Sequence, residues 1–282
     1  MTEHERTADQ ANDPRTASEP AGPEVDPVAA LMHPGGGPGA QISLLGPLEV
    51  RVDGIMQPVL GNRRRTVLAV LALHAGEIVS VDRLIDIVWG DRPPRTAINT
   101  LQSHVSYLRR VIGDQATIFA RPPGYLLDLG GDLTDVATAE RLIQAGTRSS
   151  DLKRRAEYLR AALSLWRGRP LVDVTASTWL DQQVERLNHL LLQAHQALAE
   201  ARLALGENAV LAVELQPLIR EHPLVERLHA QLMLALYREG RQSEALDVYR
   251  RLRSVLSTEL GVEPTEPLRQ LQLAILRQDA DL

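Results

Sequence analysis

The chain has 282 residues, a formal net charge of -5, 44% hydrophobic residues and no cysteine. That length is enough for two modest cores, and the missing thiols exclude disulfides, thiolate metal sites and a cysteine nucleophile. Lys153 is the single lysine, which removes a P-loop or Schiff-base lysine from the N-terminal half, and no stretch is long or apolar enough for a membrane span or an export leader, so a cytoplasmic, nucleoid-associated protein with no membrane partner is expected.

The charge is unevenly spread. Residues 1–40 hold 2 basic and 7 acidic side chains, 41–130 hold 10 and 8, and 131–282 hold 19 and 21. Only the middle third is net basic, where a nucleic-acid surface belongs. Residues 1–40 are rich in proline, glycine, alanine and acids and read as a disordered tail. Its run Pro34-Gly35-Gly36-Gly37-Pro38-Gly39 reads as linker, since no strand precedes it and no helix start follows.

From residue 41 the texture predicts short strands at 42–45, 48–52 and 57–60, with a hairpin turn at Asp53-Gly54. A helix with Asn62 as N-cap then runs toward Gly76, and a second starts at Ser80 and stops at Gly90. A third, capped by Thr96 and closed by Gly113, carries Ile98, Leu101, Val105, Leu108 and Ile112 at steps of three and four, which predicts one buried face. Residues 117–129 read as strand, tight turn at Pro122-Pro123-Gly124, and strand. Short strands, three helices and a closing hairpin over 41–130 make a winged helix-turn-helix, whose third helix enters the major groove.

The polar face of that third helix carries Asn99, Gln102, Ser103, Ser106, Tyr107, Arg109 and Arg110, residue types that hydrogen-bond base edges or phosphates. No carboxylate lies between Asp91 and Asp114, whereas Arg92, Arg95, Arg109 and Arg110 do; the local field suits a polyanion. An ordinary solvated amphipathic face is the competing reading of this helix taken alone. Arg63, Arg64 and Arg65 put three cations at a helix N-terminus, where the macrodipole disfavours them, and a phosphate nearby would relieve that. The alternative is that they are solvated or partly paired with Asp53 or Glu77.

Residues 134–282 are helical throughout, with segments near 135–148, 151–166, 177–205, 207–220, 224–239, 241–259 and 265–279 separated by short breaks. Antiparallel pairs of this length suggest a tetratricopeptide-like solenoid, and Ala245 followed four residues on by Tyr249 fits its second helix. An irregular helical bundle is the structural alternative. His104 lacks a second ligand at i+4, which argues for packing or phosphate contact over metal. Trp89, Trp166 and Trp179 read as core residues. No catalytic constellation stands out, so the chain is expected to be no enzyme, with no cofactor and no metal.

Four stretches carry a family resemblance. These are Arg63-Arg64-Arg65-Thr66-Val67-Leu68-Ala69, Val81-Asp82-Arg83-Leu84-Ile85-Asp86-Ile87-Val88-Trp89-Gly90, Leu101-Gln102-Ser103-His104-Val105-Ser106-Tyr107-Leu108-Arg109-Arg110 and Pro123-Gly124-Tyr125-Leu126-Leu127. Together they are similar to the OmpR-type winged helix. With Leu163-Ser164-Leu165-Trp166-Arg167-Gly168-Arg169-Pro170-Leu171, Trp179-Leu180 and Leu260-Gly261-Val262-Glu263-Pro264, the chain resembles the Streptomyces antibiotic regulatory proteins, which follow that winged helix with a bacterial transcriptional activation domain. The resemblance runs from about residue 41 to 277.

It implies an activator that binds double-stranded promoter DNA at direct repeats near the −35 region, as a dimer on DNA, and recruits RNA polymerase holoenzyme to a secondary-metabolite gene cluster. Gln102, Ser103, Ser106 and Tyr107 take base-edge positions, Thr100, Arg109 and Arg110 lie near phosphates, and Arg121 is the wing contact. Position 107 departs from the arginine that many such helices carry, which removes bidentate guanine readout there. The ATPase and forkhead-associated modules of larger relatives, and a receiver domain with its phosphate acceptor, are not expected. A helical-repeat adaptor with a degenerate winged helix, or a repressor, is the alternative function.

Overall fold

The computed structural model describes residues 27–32, 39–113, 116–131, 133–174, 177–279 and 282. The glycine-run residues 34–38 and Asp114 lie outside them. Within the stretch expected to be a disordered tail, Pro27–Met32 form a short helix, α1, beside the first two helices of the C-terminal half. Its start at a proline, followed by five apolar residues, explains it; averaging over forty residues hid that run.

Strands β1 (Ala40–Ser43), β2 (Glu49–Val52) and β3 (Ile55–Gln57) form an antiparallel sheet in sequence order. Asp53 and Gly54 turn the β2–β3 hairpin with φ of 51° and 77°, the positive pair that matches strand twist. The third strand therefore begins directly after the turn, two residues before the expected 57–60.

Helix α2 (Asn62–Leu73) follows, then β4 (Ile78–Ser80), α3 (Val81–Trp89), α4 (Ala97–Ile112), β5 (Thr117–Arg121) and β6 (Gly124–Asp128). The expected Asn62 cap is not made: Asn62 is the first helical residue, Gly61 holds the cap position and no side chain bonds there. Ser80 caps α3 as expected, its Oγ accepting from the Arg83 amide at 3.2 Å. Thr96 makes no capping bond to α4. β4, unforeseen, joins the wing in the order β4-β6-β5, with Ile78 opposite Leu126 and Ser80 opposite Gly124. Three residues are too few to show a period, and their partner lies over forty residues on. Gly124 is required there, because a Cβ on it would sit 1.8 Å from the Val79 carbonyl oxygen.

The C-terminal half comprises α5 (Asp135–Arg148), α6 (Leu152–Leu163), α7 (Thr178–Ala204), α8 (Asn208–Glu221), α9 (Glu226–Arg238), α10 (Gln242–Glu259) and α11 (Glu266–Arg277), within two residues of every expected boundary but one: α6 ends three residues early. Thr134, Asp151 and Ser177 cap α5, α6 and α7 through side-chain oxygens. Most helices pack mainly on the next, α5 on α6, α6 on α7, α8 on α9 and α9 on α10, while α7 and α11 also meet α9, largely the neighbour-by-neighbour stacking of a solenoid. Ala245 and Tyr249 are buried in it.

The cores do not respect the chain boundary. One cluster joins β1, β2, α2, α3, α4 and β6 to Val136, Ala139, Leu171, Leu180, Val184 and Leu187 of the C-terminal half. A second fills α7 to α11. Helix α7 therefore has one end in each.

Candidate nucleic-acid interface

Helix α4 buries Ala97, Leu101, Val105, Leu108 and Ile112. Four of the five expected core positions hold. Ile98 does not: it is 55% exposed. Stepping back four residues from Leu101, as the helix does between 101 and 105, reaches Ala97 rather than Ile98. Gln102, Ser103, Ser106, Arg109 and Arg110 lie exposed on the opposite side with Asn99, so one solvated face gathers most of the candidate residues of α4. Thr100 is half-buried and returns its hydroxyl to the Thr96 carbonyl at 2.9 Å. Ser103 bonds the Asn99 carbonyl at 3.0 Å.

Tyr107 is turned to a different task from the base-edge role expected of it. Its hydroxyl oxygen accepts from the Leu60 amide at 3.1 Å and it donates to the Pro58 carbonyl at 3.4 Å, while the Arg64 guanidinium lies 4.0 Å from its ring centroid. The side chain pins the segment entering α2 against α4. Arg65 is likewise drawn away from the exposed face. It bonds the Val59 carbonyl at 2.9 Å and pairs with Asp173 of the C-terminal half at 3.0 Å, instead of Asp53 or Glu77.

Among the described residues no ion pair forms at Arg63, Arg64, Arg92, Arg95, Arg109, Arg110 or Arg121. Arg63 sits 5.8 Å from the Trp89 ring centroid and Arg121 5.6 Å from that of Phe119 in the wing. Arg109 donates from Nε to the Ile118 carbonyl at 2.7 Å, joining α4 to β5.

Between α2, α3 and α4 opens a cavity of about 810 Å³ lined by Leu60, Asn62, Arg63, Arg64, Val88 and His104. Both ring nitrogens of His104 and the indole nitrogen of Trp89 are buried without a hydrogen-bond partner, and the two rings stack at 6.2 Å and 7°. Unsatisfied buried polar atoms are costly. Burial, then the charges of Arg64 and Arg63, hold the His104 pKa below its ordinary 6.5. The uncapped start of α2 faces the same space, with its first amides free of any side-chain acceptor. Such a set is suited to an anion. The sequence offered a hint in the basic triplet, but the roles of Trp89 and the cavity required the fold.

A winged helix with an acid-free recognition face, joined to a stacked-helix half, defines a transcriptional regulator of the OmpR-type class. Residues 57–127 match the family model "Transcriptional regulatory protein, C terminal" and residues 134–276 match "Bacterial transcriptional activator domain". The chain is 40% identical over 252 residues to Regulatory protein DnrI of Streptomyces peucetius, covering 85% of this chain and 93% of that one. It is 34% identical to the transcriptional regulator RedD of Streptomyces coelicolor, covering 85% and 71%. The solved structure of Mycobacterium tuberculosis EmbR in complex with a low-affinity phosphopeptide superposes with a TM-score of 0.82 at 34% identity, over 86% of this chain and 66% of that longer one. The chain belongs to the Streptomyces antibiotic regulatory protein family of transcriptional regulators. No helix among the described residues is long and apolar enough to cross a membrane.

Proposed function

We propose that this protein activates transcription by binding direct repeats in double-stranded promoter DNA near the −35 region and recruiting RNA polymerase holoenzyme, acting in the cytoplasm on a secondary-metabolite gene cluster and without any catalytic step of its own. The observation that carries the DNA half of this reading is the free cation set around α4: Arg109 and Arg110 at its end, Arg121 in the wing, Arg92 and Arg95 in the preceding loop, and Arg63 and Arg64 beside the His104 cavity. Gln102, Ser103 and Ser106 read base edges from the exposed face, and Ile98 meets a thymine methyl there. The cavity takes a backbone phosphate, which supplies an acceptor for His104 beside Arg63 and Arg64.

Two copies lie head to tail on the repeat, so both recognition helices fall on one DNA face when repeats are spaced near a helical turn. The C-terminal half makes the polymerase contact, because stacked helix pairs present long grooves and its near-balanced charge does not suit a second DNA clamp. The test uses the intact chain: footprinting on candidate promoters, then run-off transcription with purified holoenzyme. Protection of a tandem repeat with raised transcript is expected. Protection of an inverted repeat, or lowered transcript, overturns the reading.

A further inference from the structure

The covalent link between the halves is short and contains Gly130 and Gly131, both with positive φ, so by itself it would let them swivel. Beside the shared hydrophobic core, the polar hold between them is the turn between β1 and β2, residues 44–48. Its backbone groups find their partners in the C-terminal half. The Asp135 carboxylate accepts from the amides of Leu44, at 2.7 and 2.8 Å, and Leu45, at 2.9 Å. Asp173 accepts from the Leu48 amide at 2.8 Å through Oδ1 and from Arg65 through Oδ2.

The turn's carbonyls are taken up in the same way. The Arg167 amide donates to Leu45, the Leu171 amide to Leu44 and Gly46, and the Arg167 guanidinium to Pro47. That guanidinium also pairs with Glu49 at 2.7 Å and lies 3.7 Å from Asp135. The approach is close enough that a Cβ on Gly46 would meet the Arg167 Cβ at 3.0 Å. Burial raises the Asp135 pKa, opposed by the amides of Leu45 and Leu44 and by Arg167; a carboxylate kept in so enclosed a place is there for its bonds.

We propose that Asp135 and Asp173 are positioning residues: they clamp the 44–48 turn so that recognition helix and solenoid move as one body, and promoter activation depends on them while DNA affinity does not. Neither touches the α4 face. Among the described residues the Asp173 carboxylate meets the Leu48 amide and Arg65, and that of Asp135 the amides of Leu44, Leu45 and Val136 and the Arg167 guanidinium. The inference rests on the polymerase-contact reading above for its functional consequence, and on geometry alone for the clamp.

Because the chain has no cysteine, spin labels placed at Asp82→Cys and Glu239→Cys, one exposed site in each half, report their separation by pulsed dipolar spectroscopy. A single narrow distance is expected in the parent, broadened in Asp135→Ala and in Asp173→Ala. In the unlabelled full-length chain, Asp173→Ala should keep its operator Kd within about threefold yet lose at least about fivefold in transcript. Asp173→Asn, whose Oδ1 can still accept from the Leu48 amide, should restore most of the transcript and the narrow distance. Equally narrow distances in both alanine variants would overturn the clamp. A parallel loss of Kd and transcript in Asp173→Ala, or an Asp173→Asn variant that rescues neither, would overturn the positioning role. Failure of the parent protein to raise transcription would count against the activator reading instead, leaving the clamp to be decided by the distances.

Discussion

Arg109 of the recognition helix donates from Nε to the carbonyl oxygen of Ile118, 2.7 Å away in the first strand of the wing. One side chain thus ties α4 to the wing. Among the described residues Arg110, one residue on, has no such tether. Arg109→Ala is expected to lower stability by about 1 kcal/mol and to weaken binding to every sequence. Arg110→Ala is expected to leave the melting temperature unchanged while the salt slope of log Kd falls by about one. Arg65→Ala should leave that slope unchanged. Thermal melts and salt titrations of the three variants check this; a reduced slope for Arg65→Ala contradicts the placement.

Tyr107 and Gln102 separate structure from readout on the same helix. Tyr107→Phe removes the acceptor of the Leu60 amide and should destabilise the fold by about 1 kcal/mol with base preference intact. Gln102→Ala should do the reverse, leaving stability alone and relaxing discrimination at one operator position by about 1–3 kcal/mol. Binding selections on a randomised operator distinguish the two, and a changed motif for Tyr107→Phe would return that ring to the groove.

With a backbone phosphate in the His104 cavity, as proposed, DNA binding is expected to depend on pH. In the free protein burial and the two arginines lower the imidazole pKa, so at neutral pH it is uncharged, and protonation on acidification is less favourable folded than unfolded. Folded-state stability from this group is therefore present above the ordinary 6.5 and lost as pH falls toward the lowered value. A phosphate in the cavity reverses the local field and raises that pKa, so binding takes up a proton and affinity rises as pH drops from about 7 to about 6. Fluorescence anisotropy across this range should show the rise in the parent chain and a flat profile in His104→Gln. Parallel profiles would remove the phosphate from the cavity.

The wing depends on a close backbone approach. Gly124→Ala is expected to cost about 3 kcal/mol by pushing β6 off β4, with loss of the footprint at elevated temperature before the C-terminal helices melt. Amide exchange resolved by segment provides the measurement. Unchanged protection over 78–80 would show that β4 and β6 tolerate the added methyl.

Periodicity and punctuation in the sequence determined the elements that are long or sharply bounded. The stripe at Leu101, Val105, Leu108 and Ile112, the Ser80 cap with Gly90 at the other end, the Asp53-Gly54 turn and the helices from α5 to α11 all follow from local chemistry, since intrahelical bonds, caps and tight turns involve neighbours in the chain. The winged-helix and solenoid architecture followed from their order, and the polar face of α4 from the same period as its core. The tertiary structure alone decided what distant partners do. Three residues at Ile78–Ser80 became a strand because β6 lay open beside them. Tyr107 and Arg65, chemically fit for DNA, were drawn to Leu60 and Asp173, and the imidazole of His104 stacked on the Trp89 ring. Asp135 and the turn it holds stand 91 residues apart for Leu44. A hydrogen bond over that separation leaves no periodic trace, because the choice among equally suitable polar partners is made only when packing brings one of them within about 3 Å.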